Sequence, residues 1–364
     1  MDILNVLEPY QEDRAISSYE YHIYKPFNPG QLGKGEEIRI QILNSDLFVQ
    51  LSEAFLYVEG ELTTLAADTN ILTVDNFPLF LFDEIRLEIN GKVIDSIKNV
   101  GIHAMMKGVL VTSKNAENYT SLHGWYKNDH LLEKGQTFGY CIPLKMCLGI
   151  AHDYDKAFIN SKIEVVCIRS RVDNNCFAQK TDTANVTASI TVTKVQLHTP
   201  LIDPAPVQKL ELIKTIEEEK DIHVLFRAEK LIEYPKIPNG SLYFNWQLQS
   251  SSVTNKPLFV ILAFSTNRND QIKKNMTHFD HLSLRNAKLC LNSTSIPYEN
   301  LNLNFDKNYY ALAFKAFTDF RKFYLGKEND GVVNMDTYKN KYPFIVLNCS
   351  FLEPSLKVNS VDIR

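Results

Sequence analysis

The chain has 364 residues, 45% of them hydrophobic and 23% charged, with a net charge of −4 and a pI near 6.2. This ordinary globular balance allows about two domains and a core that needs no disulfide or metal, and it excludes bulk coating of nucleic acid, which requires a basic surface. Six scattered cysteines, Cys141, Cys147, Cys167, Cys176, Cys290 and Cys349, form no CxxC pair and read as buried free thiols; with neither a basic n-region nor an 18-residue apolar run, no signal peptide or membrane span is expected.

Period-two text dominates from the start. Tyr19 to Tyr24, Glu37 to Ile42 and Ala54 to Gly60 alternate or are rich in aromatic and β-branched residues, and each predicts a strand. Asn99 to Val111, with Met105 and Met106, predicts a helix, and Asn115 to Tyr140, which holds Trp125, predicts a long loop. A long excursion between strands usually has a task, here expected to be contact with a neighbouring copy. Ile163 to Ile168 and Ala188 to Leu197 predict further strands. Three prolines between Thr199 and Pro206 are expected to stop the sheet and mark a linker. Leu210, Ile213 and Ile216 then predict a short helix. Strands are expected over Ile222 to Phe226, Ser241 to Leu248 and Pro257 to Phe264. Tyr310, Phe314, Phe317, Phe320 and Phe323 recur at three or four and predict a helix with a core-facing stripe. By pattern, Ser360 to Arg364 ends the chain in mid-strand.

One hairpin signature occurs twice. Leu87, Ile89, Asn90 and Ile94 correspond to Leu289, Leu291, Asn292 and Ile296 at a constant offset, each copy being a strand, an Asn-led turn and a return strand. The repeat is too long for a solenoid and implies two similar β domains, as a shell-building protein would have. Asp83 and Asp280 recur within it and read as groups bonding nearby backbone amides.

No catalytic signature emerges. Gly30-Gln31-Leu32-Gly33-Lys34-Gly35 lacks the spacing of a phosphate loop and reads as a hairpin loop. His278-Phe279-Asp280-His281 divides its ligand types between two strand faces and reads as structural. His152-Asp153-Tyr154-Asp155 reads as a solvated loop rather than a cation site. Lys273-Lys274 and Arg321-Lys322 read as solvated faces. No cofactor or metal is expected, and the chain is not expected to be an enzyme.

The runs Asp46 to Val49, Ser52 to Gly60, Phe77 to Gly91 and Asn99 to Ile102 resemble the first domain of double jelly-roll major capsid proteins, the group found in Maverick/Polinton-type and adintovirus-like elements of animals, many lodged in insect genomes. Phe259 to Arg268, Leu291 to Ser293, Tyr298 to Leu303 and Tyr342 to Val346 resemble the second. The resemblance implies an all-β fold of two tandem eight-stranded jelly rolls with a few short helices in insertions. Residues 1–17 would be an N-terminal segment, 18–199 the first jelly roll, 200–218 a linker with a short helix, and 219–364 the second jelly roll. That second roll would be truncated, since relatives extend past the position of Val361. The implied function is a viral major capsid protein, a homotrimer tiling an icosahedral shell in the virion and made in the host cytoplasm. A penton or minor capsid protein is its expected partner, and sequence-specific nucleic acid binding is not expected. A scaffold of the same fold shaping an immature virion membrane, or a domesticated host binding protein, are the alternatives. Trp125 and Tyr126 are the expected inter-subunit contact.

Overall fold

A computed structural model describes residues 15–43, 48–64, 71–125, 130–131, 135–179, 188–218, 221–234, 236–238, 240–248, 257–291 and 294–351. Among the described residues, eight strands build the two main sheets of the first half: β1 (Ile16–Tyr24), β2 (Glu37–Ile42), β3 (Phe55–Thr64), β4 (Phe82–Ile89), β5 (Lys92–Lys98), β6 (Thr137–Pro143), β7 (Ile163–Arg169) and β8 (Ala188–Pro204). They form two antiparallel sheets, in the orders β1-β8-β3-β6 and β2-β7-β4-β5, with Phe48–Val49 added beside β8. Apart from the β4–β5 hairpin, consecutive strands cross between the two sheets, which is jelly-roll topology. Alternation decides which side faces in: Ile38, Ile40 and Ile42 of β2 are buried, while Arg39 and Gln41 lie half-exposed on the other side.

The first copy of the hairpin signature is β4–β5. Its turn residues Asn90 (φ 52°) and Gly91 (φ 75°) both take the left-handed conformation that a two-residue hairpin turn requires. The second copy is β10 (Leu289–Leu291) and β11 (Thr294–Ile296), again with two residues between paired ends. The repeat holds to Asn90 and then diverges. Leu289 pairs with Ile296, whereas Leu87 pairs with Asp95 and Glu88 with Val93, so Ile94 is the extra residue of a bulge. The bulge turns Asp95 into the interior.

Helix α1 (Val100–Val111) forms within the stretch read as helical and is shared between two cores. Val100 and Ala104 face the first core; Met105, Val109 and Leu110 face the second. The expected long loop is instead a series of short helical turns over 114–123, and its last residues, from Thr137, already belong to β6.

The interruption expected at the prolines does not occur. β8 runs through Pro200 to Pro204, with Tyr21 opposite Pro200 and Glu20 opposite Leu201. The Pro200 carbonyl accepts from Gln50 N–H. A strand residue's N–H and C=O point the same way, so the N–H that Pro200 lacks faces away from β1 and costs no β1–β8 hydrogen bond. Helix α2 (Gly149–Asp153) precedes β7, and α3 (Pro206–Glu217) follows β8.

The second half shows four strands among the described residues: β9 (Phe259–Leu262), β10, β11 and β12 (Ile345–Asn348), with β9 paired to β12. Helices α4 (Ala311–Leu325) and α5 (Met335–Lys341) pack with them. Phe317 and Phe320 of the aromatic stripe are buried, and Phe323 is exposed. The expected strands at 222–226 and 241–248 make no ladder among the described residues. Alternation survives at the first of them: Val224 and Phe226 pack on the first core while Leu225 is 81% exposed. Alternation thus sets which face is buried, and a ladder additionally needs a partner edge. Residues 352–364, where the truncated end was expected, lie outside the described residues.

Candidate functional site

A cluster of largely buried polar groups lies where the two halves meet. A single carboxylate, Glu229, sits at its centre. Lys107 of α1 bridges both its oxygens at 2.9 and 3.0 Å, His103 Nε2 lies 2.9 Å away, and the Tyr324 hydroxyl of α4 donates at 2.7 Å. His103 and Lys107 are one helical turn apart and so share a face of α1. Burial by itself would raise the Glu229 pKa; the His103 hydrogen bond, the charges of Lys107 and His103, and the Tyr324 hydrogen bond outweigh it and hold the carboxyl well below its usual range. Burial, then the Glu229 charge, push the Tyr324 phenol well above 10.

Two residues upstream, Arg227 clamps α2. Its backbone N–H and Nε donate to Asp153 Oδ2 at 2.7 and 2.8 Å, Nη2 bonds Oδ1, and Nη1 donates to the Tyr324 carbonyl at 2.6 Å. The guanidinium lies 3.7 Å from the centre of the Tyr324 ring, a cation–π contact. Gly149 lets the backbones meet: a Cβ there would stand 2.1 Å from the Arg227 carbonyl oxygen. The inward Asp95 accepts from Ile150 N–H at 3.0 Å and caps the start of α2. Two charged clusters on neighbouring residues therefore lock α1, α2, the 224–231 segment and α4 into one block. A second seam joins Asn174 to Asp270 at 2.7 Å and Asn175 to Asn269 at 2.9 Å.

His152-Asp153-Tyr154-Asp155 is therefore no solvated loop. Asp153 is the Arg227 partner, and Tyr154 is buried against Phe158. No local signal could have shown this, because Arg227 is 74 residues away. Lys34 of the glycine-rich loop pairs at 2.9 Å with fully buried Asp173, which also holds Arg169 at 2.5 Å. In the His278 to His281 run, Phe279 is core, Asp280 accepts from Thr266 N–H at 2.9 Å and pairs with Arg268, and His281 stacks on Phe305. Asp280 thus bonds a backbone amide as expected, whereas the Asp83 side chain is exposed and only its carbonyl receives Asn99 N–H. Arg321 is buried rather than solvated, with Asp330 at 3.0 Å.

Trp125 is half-buried, and its ring lies 2.9 Å from where a Gly108 Cβ would stand on α1. Tyr126 lies outside the described residues. The turns before Trp125 are anchored by His123, whose Nδ1 lies 2.7 Å from Asn76 Oδ1; burial lowers the His123 pKa to about 4, so the ring is neutral and donates.

The two outer sheet faces differ in kind. On β2-β7-β4, Arg39 pairs with Glu37, Glu88 and Glu164, and Arg86 with Glu37 and Glu88, at 2.6 to 3.0 Å. The outer face of β1-β8-β3-β6 is aromatic instead: Tyr21 meets Phe55 at 5.9 Å, and Phe55 stacks on His198 at 4.9 Å.

Two sheets in jelly-roll order, joined through a charged seam to a second core, define the class of fold. The profile of the double jelly roll-like domain family matches residues 71–364, and the chain belongs to that family. No curated protein matches the sequence. Among solved structures, a Sputnik virophage chain matches with a TM-score of 0.51 at 10% identity, covering 100% of this chain and 79% of that one. The mavirus major capsid protein matches with a TM-score of 0.51 at 12% identity, covering 99% and 84%. PBCV-1 VP54 matches at 14% identity with a TM-score of 0.34, and the chain spans only 46% of its length. At such identities the likeness is one of fold.

Proposed function

We propose that the chain is a viral major capsid protein, present in the virion and made in the host cytoplasm, which trimerises into a pseudo-hexagonal tile of an icosahedral shell. The joint around Glu229 and Arg227 carries the reading: it makes two jelly rolls one rigid block, and a trimer of such blocks is a six-lobed tile. Closed rotational symmetry makes that trimer self-limiting, and weaker contacts between trimers then build the shell. The Maverick/Polinton affiliation, a penton or minor capsid partner, and the division into first roll, linking helix and second roll belong to the same proposal.

The 125–126 step is the proposed inter-subunit contact, supported by the half-exposed ring of Trp125. Trp125→Ala should lower trimer stability; an unchanged trimer would remove that contact from the proposal. The native mass by light scattering tests the whole reading. Three chains of 41.8 kDa give about 125 kDa, and particles of that mass should form shells visible by electron microscopy. A monomer that forms none would overturn it.

A further inference from the structure

Strand β1 ends its sheet and leaves one edge open. Among the described residues only β8 flanks it. Tyr21 stands opposite Pro200, whose backbone groups point away from β1. Opposite residues of an antiparallel pair exchange both hydrogen bonds or neither. Tyr21 therefore aims its own N–H and C=O away from β8, and Tyr19 and Ile23, two residues to either side, do the same. Among the described residues none of these groups meets a backbone partner. The side chains of Tyr19, Tyr21 and Ile23 are 43, 47 and 55% exposed, and Glu20 on the other face is exposed too. Sheets commonly guard such an edge with Lys, Pro or a bulge; Ser18 to Tyr24 has none of them.

The strand is complementary to itself in one register. Set antiparallel to a second copy with Tyr21 opposite Tyr21, it brings Tyr19 opposite Ile23 and Glu20 opposite His22. Edge-facing residues then meet edge-facing residues and exchange their backbone hydrogen bonds. Glu20 and His22 fall at the non-hydrogen-bonded positions, where side chains approach closest, so a carboxylate faces an imidazole twice. A slip of two residues one way sets Glu20 against Glu20, and the other way His22 against His22; like charges directly opposite are unfavourable. A slip of one residue sets an edge-facing residue against one whose backbone already serves β8.

We propose that two copies join β1 to β1 in the Tyr21-centred register, making one continuous sheet of their two β1-β8-β3-β6 sheets. The same patch serves both copies, so the contact is two-fold, and backbone hydrogen bonds carry it, as in other strand additions. It rests on the self-association proposed above and links one trimer to the next.

The test uses the full chain with Cys141→Ser and Cys290→Ser, which remove the partly exposed thiols. With copper phenanthroline as oxidant, Tyr21→Cys should give a reducible two-chain product, since hydrogen-bonded partners have Cα atoms about 5.5 Å apart, within disulfide reach. Tyr19→Cys alone should not link, being four residues, about 14 Å, from its own counterpart; mixed with Ile23→Cys chains before assembly, it should. Ile23→Pro removes an edge-facing donor and no β1–β8 bond. Its circular dichroism spectrum and trimer mass should stay unchanged, while the concentration needed for assembly beyond the trimer rises at least tenfold. A self-link at Tyr19→Cys, no link at Tyr21→Cys, or Ile23→Pro shells at the wild-type concentration overturns the β1 pairing and leaves the capsid reading standing. A Tyr21→Cys link in a chain that never trimerises keeps the pairing and overturns the capsid reading. An unlinked monomer overturns both.

Discussion

Gly149 shows how much one missing methyl group decides. The Arg227 carbonyl oxygen occupies the space a Cβ would need, at 2.1 Å, and backbone cannot rotate aside as a side chain would. Gly149→Ala should therefore cost about 1–3 kcal/mol by overpacking, read as a lower urea midpoint, with larger loss of protection from hydrogen exchange at 224–231 than elsewhere. Glu229 is the corresponding charge. Glu229→Gln keeps the shape but leaves the Lys107 ammonium buried without its counter-ion, and breaking such a pair costs about 3–5 kcal/mol. The Tyr324 hydroxyl still has an acceptor, so the loss should follow Lys107: adding Lys107→Met to the Gln variant should recover part of it. Asp173→Ala is a control of the same size placed away from the joint, since it strands Arg169, whose side chain is 1% exposed.

At the scale of elements, the excursion between α1 and β6 depends on a neutral histidine. His123 has a pKa of about 4 when folded and about 6.5 when unfolded. The folded form thus resists the proton that the unfolded form accepts. Its contribution is complete above pH 6.5, declines as pH falls toward 4, and is then fully lost. At about 1.4 kcal/mol per pKa unit, that is about 3 kcal/mol from His123. His152, lowered to about 4 by burial and then by the Lys107 charge, adds in the same window. Glu229, depressed below its unfolded value, adds a loss below about pH 4.5. Unfolding midpoints should fall steadily from pH 6.5 to 4, and His123→Asn should flatten the upper part of that slope. A flat profile would contradict the buried environment of His123. The β4–β5 bulge works at this scale too: one extra residue, Ile94, sets Asp95 facing inward to cap α2.

For the whole molecule, the arrangement of α1 matters most. One helix contributes to both cores, so the two halves should unfold together rather than in sequence. A single calorimetric transition is expected, and Glu229→Gln should split or broaden it. Two transitions in the unmodified chain would mean that the joint does not couple the rolls. Under the proposed shell role such coupling would matter, because a tile that flexed between its lobes could not repeat regularly across a shell.

Local rules were readable directly from residue order. Alternation placed β2, β3, β7 and the body of β8, Asn90-Gly91 placed a hairpin turn, and three-or-four spacing placed α3 and α4. These signals are short-ranged, and burial of one face is enough to produce them. Tertiary structure alone decided the rest. Three prolines read as a break, yet β8 continues because Pro200 turns its missing donor away from β1. The cluster on Glu229 joins residues 95 and 122 positions apart, and the Asp153 clamp joins residues 74 apart. A buried charge finds its partner through the path of the chain in space, which no periodicity of near neighbours encodes.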